Sequence, residues 1–205
     1  GYERAGYAAA FMTEVAALDA GDDERLRTAQ GLLARWDWML NGRGQGDALA
    51  LMILRPANRI HYQRARERPD AREIVSEAAE HLERHFGTLD PPLGSVLRLR
   101  QGEGASRVDL PLDGGNDTLR ASTLWDEDED GRLSVRHGDS FLMFVAWDRA
   151  GNVRSESIQP FGAATTRPRS RHHTDQARLF VEHRLKPVLF DRAAFLETRP
   201  RFYRP

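Results

Sequence analysis

The stretch Gly162-Ala163-Ala164-Thr165-Thr166-Arg167-Pro168-Arg169-Ser170-Arg171-His172-His173-Thr174-Asp175-Gln176 holds the densest run of chemically distinctive residues in the 205-residue chain. Its histidines, with Asp175, invite a metal reading. Adjacent residues point in different directions on most backbones, and a zinc-type site needs more ligands than this pair offers. A structural role is better supported. A buried His172 needs partners for both ring nitrogens, and Asp175 and Gln176 stand close enough in sequence to supply some of them. Thr174 or Asp175 is placed to cap a helix carrying Leu179, Phe180, His183 and Leu185, with Pro187 as its stop. Asp191 to Leu196 makes one more turn.

Upstream, two apolar runs flank the loop Asp148-Arg149-Ala150-Gly151-Asn152, so Phe141–Trp147 and Val153–Ile158 form a hairpin. Phe141, Met143, Val145 and Trp147 share one face, and Leu142, Phe144 and Ala146 the other. Both faces are apolar, which predicts cover on both sides. Val96–Leu99, Val108–Leu110 and Leu133–Val135 are shorter strands, and Asp113, Gly114 and Gly115 make a turn. Before Pro91 the period is helical. Tyr7–Leu18 is one segment. A second, capped by Asp22 or Asp23, carries Leu26, Leu33, Trp36 and Leu40. Asp47 caps a third that Pro56 ends or kinks, and Ala71–Phe86 is a fourth, closed by Gly87. Residues 64–69 read as loop and the tail from Arg199 as extended. The fold class is α+β: a mainly helical segment over 1–90, then a β-rich segment of antiparallel strands with a closing helix over 91–205.

Composition is that of an ordinary soluble protein, 40% hydrophobic and 30% charged. The formal net charge of −1 gives no global field for nucleic acid or an anionic membrane. Lys186 is the only lysine, an arginine bias best explained by GC-rich coding DNA. With no cysteine, disulfides, thiolate metal sites and a cysteine nucleophile are excluded. No apolar run reaches the roughly 20 residues of a membrane span.

The landmarks fall in an order seen elsewhere. Leu93-Gly94-Ser95-Val96-Leu97-Arg98, then Pro111-Leu112-Asp113-Gly114-Gly115-Asn116-Asp117-Thr118, then Gly138-Asp139-Ser140-Phe141, and finally Gly162 with Ser170-Arg171-His172-His173-Thr174-Asp175-Gln176, resemble the penicillin acylase (penicillin amidase) family of N-terminal-nucleophile hydrolases. The family pattern reads W-G-x-x-x-R, P-x-x-G-G-x-D-T, G-x-S and S-P-H-Y-x-D-Q. The match is nearly continuous from Gly94 to Phe190 and weaker before Leu89. The wording is closest to the acyl-homoserine-lactone and lipopeptide acylases. Leu93, Ala164, Arg171 and His173 depart from the pattern.

The resemblance implies a C-terminal part of a β subunit, contributing to an αββα sandwich within one larger catalytic domain. Its implied partners are the rest of that subunit, the α subunit of the same precursor and a small amide substrate, with no cofactor, no nucleic acid and no membrane span. A periplasmic or secreted location is implied in the same way. The implied mechanism needs no catalytic residue here: the nucleophilic serine, freed at a chain N-terminus upstream, uses its own α-amino group as base. Gly114, Gly115, Thr118, Gly162, Ser170, His172, Asp175 and Gln176 are then structural motif residues.

The acidic run Asp126-Glu127-Asp128-Glu129-Asp130-Gly131 copies half of a calcium loop, but position twelve is His137, which cannot bind calcium bidentately. A solvated hairpin tip is favoured over a calcium site at Asp126, Asp128 and Asp130. That site would belong to the alternative reading, a self-contained, non-catalytic binding module. Trp36, Trp38, Trp125 and Trp147 read as core rather than as an acyl pocket. The chain alone is expected to be inactive and to expose apolar surface.

Overall fold

The computed structural model describes residues 9–63, 70–115, 118 and 120–200, without the side chains of 9, 10, 57–63 and 123–125. Tyr7, the loop assigned to residues 64–69, Asn116, Asp117, the end of the tail and the Trp125 side chain therefore lie outside it. The chain is α+β and divides into two compact units, residues 1–101 with 107–139 and residues 102–106 with 140–205.

In the first unit, α1 (Ala9–Ala16), α2 (Glu24–Leu33), α3 (Asp47–Gln63) and α4 (Ala71–Phe86) form a helical layer. The caps are those the residue types dictate. Asp23 accepts the Leu26 N–H and Asp70 the Glu73 N–H, and Gly87 closes α4 in the left-handed region at φ 72°. On α4, buried Ile74, Val75, Ala78, Ala79 and Leu82 recur at helical spacing and face α1, α2 and α3, with buried Val15, Leu26, Ala29, Leu49 and Ile53 in the core. Helix α3 runs through Pro56 rather than ending there. Asp47 is its first residue, not its cap.

The short helix α5 (Leu93–Val96) leads into a sheet of β1 (Leu97–Gln101), β2 (Val108–Pro111), β3 (Ser122–Glu127) and β4 (Leu133–Gly138), ordered β2-β1-β4-β3. Val96 thus ends a helical turn rather than starting a strand. The β1–β4 pair is parallel and the other strand pairs are antiparallel, and β4 is longer than the three residues expected. Leu97, Leu99 and Leu133 bury on the sheet face.

In the second unit, the 3-10 turn Gly104–Ser106 accompanies β5 (Leu142–Trp147), β6 (Val153–Ile158), α6 (Ala177–Val181), β7 (Lys186–Val188) and α7 (Arg192–Glu197). The antiparallel sheet is ordered β5-β6-β7. Asp148 closes the expected hairpin, accepting the N–H groups of Ala150 and Asn152. Three expectations fail here. Neither Thr174 nor Asp175 caps α6, because the Thr174 hydroxyl donates to the Ser106 carbonyl and Asp175 faces His172. Helix α6 stops at Val181, where His183 turns left-handed at φ 57° and the Arg184 N–H returns to the Leu179 carbonyl. Pro187 lies inside edge strand β7, a position where a missing N–H is tolerated.

Strand β5 is not covered on both sides. Phe141 is 55% and Trp147 69% exposed, and Met143, Phe144 and Val153 are also exposed. Exposed Leu189, Phe190, Phe195 and Leu196 extend the apolar surface of this unit. Among the described residues of this unit no element supplies the facing layer that the two apolar faces call for. Of the tryptophans whose side chains are described, only Trp36 is buried core. It stacks on half-buried Trp38 at 5.2 Å, and its Nε1–H donates to the Met39 carbonyl.

A buried ion pair anchors the turn that leads into β3. Arg120, 2% exposed, meets Asp113 at 2.7 Å. Breaking a buried pair leaves an uncompensated charge. Arg120→Ala is therefore expected to lower unfolding free energy by about 3–5 kcal/mol, measured by urea denaturation.

Candidate functional site

The residues singled out from sequence fall into two clusters, one in each unit. In the first unit the Gly-Gly turn is built around one hydroxyl. Thr118 Oγ1, buried, donates to the Arg120 carbonyl at 2.6 Å and accepts the Gly115 N–H at 3.0 Å. The Gly114 N–H donates to the Leu40 carbonyl at 2.7 Å. Gly114 sits at φ 93°, and a Cβ there would lie 2.2 Å from the Arg120 carbonyl oxygen. A Cβ on Gly115 would lie 2.4 Å from the Leu40 side chain. Close approach requires glycine at both positions.

Beside this turn lies a carboxyl that sequence reading took for a helix cap. Asp47 is 2% exposed, and its Oδ2 accepts the Gly42 N–H at 2.8 Å, drawing the Gly42–Gly46 loop back onto α3. Burial pushes its pKa up from 3.8 to about 6; the Gly42 N–H opposes the shift and the charge of Asp37 adds to it. A folded pKa above the unfolded one means that the contribution of Asp47 is most favourable below pH 3.8 and is lost as pH rises through about 6. Asp47→Asn keeps an acceptor for Gly42 without a charge to bury. We expect it to stabilise the protein at pH 7.5 by on the order of 1–2 kcal/mol, a value discounted for water near exposed Asp37, with the gain vanishing near pH 4. Thermal melts of both proteins across pH 4–8 test this.

In the second unit the signature loop is closed by backbone bonds from Gly162 N–H to the His173 carbonyl (2.6 Å) and from Ala164 N–H to the His172 carbonyl (3.0 Å). Within it, turns run from Ala164 to Arg167, Arg167 to Ser170 and Ser170 to His173. Pro168 is held by the Ser106 hydroxyl and by the Glu103 N–H at 3.1 Å. A Cβ on Gly162 would lie 1.9 Å from the His172 carbonyl oxygen and 2.3 Å from Asp175 Oδ1. Gly162→Ala is expected to cost about 1–3 kcal/mol through overpacking against fixed backbone and to raise protease cleavage within residues 163–172. Limited proteolysis with mass spectrometry reads both the site and the rate.

His172 is exposed, not buried. Asp175 partners it as expected, at 3.1 Å from Nδ1, while the second partner is Arg171, whose Nε–H donates to Nε2 at 3.1 Å; Gln176 does not take part. An Nε2 that accepts from a guanidinium leaves Nδ1–H to donate to Asp175. The Ser170 hydroxyl oxygen accepts the His172 backbone N–H and does not meet the imidazole. Ser170, His172 and Asp175 therefore do not form a nucleophile–base–orienter relay, whose base must face the hydroxyl. Gln176 Oε1 is buried without a hydrogen-bond partner.

The acidic run is tied to arginines. Arg100 contacts Asp128 and Asp130, Arg132 meets Asp130 at 2.5 Å, and Arg136 meets Asp126 at 3.1 Å. Partial burial raises the Asp130 carboxyl, but the Arg132 N–H, the Arg132 guanidinium and Arg100 together hold it below the usual carboxylate range. These carboxylates already have cations, and no group of three or more metal-type ligands occurs among the described residues.

Sequence reading missed one constellation. Buried His81 reaches from α4 to the Gly131 carbonyl through Nε2 at 2.8 Å and to Glu127 through Nδ1 at 3.4 Å, and Arg55 meets the other Glu127 oxygen at 3.1 Å. They line a cavity of about 360 Å³ with Met52, Ile74 and Ala78. The available signal was a histidine one residue before Leu82, on the apolar side of α4.

One unit holds four helices and a mixed sheet, the other a small antiparallel sheet with a Gly-anchored signature loop, and together they make an α+β chain. Among curated proteins none matches. A family model described as penicillin amidase matches residues 3–197, and the chain belongs to that family of amide hydrolases. Among the described residues no helix is long and apolar enough to cross a membrane.

Proposed function

We propose that this chain is the C-terminal part of the β subunit of a penicillin-acylase-type enzyme, and that it buttresses a catalytic centre supplied by preceding sequence. The penicillin amidase match across residues 3–197 carries the reading. The two-sided apolar exposure of β5 supports it, since such a strand fits the inner layer of an αββα sandwich. So does Gln176 Oε1, a buried acceptor that an adjoining segment can satisfy. The partners are the remainder of the β subunit and the α subunit of one precursor, in a periplasmic or secreted enzyme.

The reaction we infer is acyl transfer to water. The hydroxyl of an N-terminal serine attacks the amide carbonyl while its α-amino group takes the proton and delivers it to the departing amine. Water then cleaves the acyl-serine ester. A backbone N–H and an asparagine side chain stabilise the oxyanion. The substrate classes are acyl-homoserine lactones, lipopeptides and β-lactams, with the first two favoured by the wording of the landmarks.

The test is to express the chain joined to its upstream reading frame and to follow release of free amine from one substrate of each class. The expected result is activity in the self-cleaved protein, none after replacement of its N-terminal serine by alanine, and none from residues 1–205 alone. Hydrolysis by residues 1–205 alone would overturn the proposal.

A further inference from the structure

The net charge of −1 conceals a division. The unit of residues 102–106 and 140–205 carries twelve Arg and Lys against seven Asp and Glu, a net of +5, while the other unit carries eighteen against twenty-four, a net of −6. Within the basic unit the positive charge concentrates where acids are absent. Residues 157–174 contain no Asp or Glu, but three arginines at alternate positions, Arg167, Arg169 and Arg171, and two histidines.

The structure turns that segment into a fixed presentation. The two backbone bonds at Gly162 and Ala164 pinch the loop at its base, and Pro168 at its middle is pinned by Ser106 and Glu103. Thr174 is fastened to the Ser106 carbonyl at 2.5 Å, so both the middle and the exit of the loop rest on the same short turn. All three arginines are exposed, Arg169 to 88% of its side chain. Neutralisation is slight. Arg169 meets exposed Glu103 at 3.4 Å, Arg171 meets the His172 imidazole and not an acid, and Arg167 has no acidic partner among the described residues.

We propose that the loop of residues 162–173 is a docking surface for anionic phospholipid headgroups. Three guanidinium charges on a compact, pre-ordered loop attract the phosphates of an anionic surface. The arginines line none of the cavities described and carry no buried polar companion, so nothing encloses a single phosphate. An extended anionic surface can engage all three together. Each arginine near such a surface strengthens binding by about fivefold, and three by about a hundredfold. The attraction acts across a Debye length and weakens with salt.

The test uses the intact protein and sedimentation with vesicles of phosphatidylcholine alone or with 30% phosphatidylglycerol. The expected result is binding to the mixed vesicles only, lost at 0.5 M NaCl. The triple variant Arg167→Gln, Arg169→Gln, Arg171→Gln should lose about a hundredfold in affinity with an unchanged melting temperature, and the corresponding triple lysine variant should retain most of it. Equal binding to both vesicle types, or undiminished binding by the glutamine variant, overturns the proposal. Full competition by 10 mM inorganic phosphate at constant ionic strength would replace the surface with a discrete anion site. Tighter capture by single-stranded DNA than by the mixed vesicles would replace the lipid with a polynucleotide.

Discussion

The bond from the Gly114 N–H to the Leu40 carbonyl fixes the first unit. It ties the segment leaving β2 to the segment joining α2 and α3, so a helical layer and a sheet remote in sequence share one contact. The approach is possible because neither Gly114 nor Gly115 carries a Cβ, and the Leu40 side chain occupies the space that a Cβ on Gly115 would need. Thr118 then closes the turn from inside, with one hydroxyl serving both ends. Asp113 and Arg120 neutralise each other around it. Each of these residues depends on the next, so the turn tolerates little change.

Close packing of this kind is reason enough for a motif to be conspicuous in sequence. The same holds for Gly162 in the second unit, where the His172 carbonyl and the Asp175 carboxyl fill the position of the absent side chain. The Ser170, His172 and Asp175 trio resembles a relay only by residue type. In the structure the serine accepts a backbone N–H and the histidine is held between an acid and a guanidinium. Which nitrogen carries the proton follows from those two neighbours, and it leaves no free basic nitrogen for a hydroxyl.

What was legible from sequence was local. The caps at Asp23 and Asp70, the glycine stop at Gly87 and the hairpin around Asp148–Asn152 each follow from a side chain acting on backbone within a few residues. What was not legible depends on remote neighbours. Val96 was assigned to a strand by apolar pattern, but the chain turns helically until Leu97 meets Leu133, a parallel pairing that no local period announces. Pro187 was expected to stop a helix and instead lies in β7, because Glu156 lies opposite it across the edge of the sheet. His81 was overlooked because its partners, Gly131 and Glu127, are about 50 residues away.

The misassigned environment of β5 has a different origin. Alternation told correctly that both faces are apolar, and cover was then inferred from chemistry alone. Phe141, Phe144 and Trp147 are exposed, so no described residue of their unit supplies that cover. A strand's sequence records the environment in which it functions, whereas burial within one chain records only what that chain supplies. The two disagree most where a unit is built for contact with other polypeptide. Buried Ser155 Oγ and Gln176 Oε1, both without hydrogen-bond partners, lie in the same unit as that strand. Unsatisfied buried polar atoms are costly and scarce in finished structures. Asp47 Oδ1 and Gln101 Oε1 of the first unit share that condition, so it is the exposed aromatic strand, and not the unpartnered atoms, that sets the second unit apart.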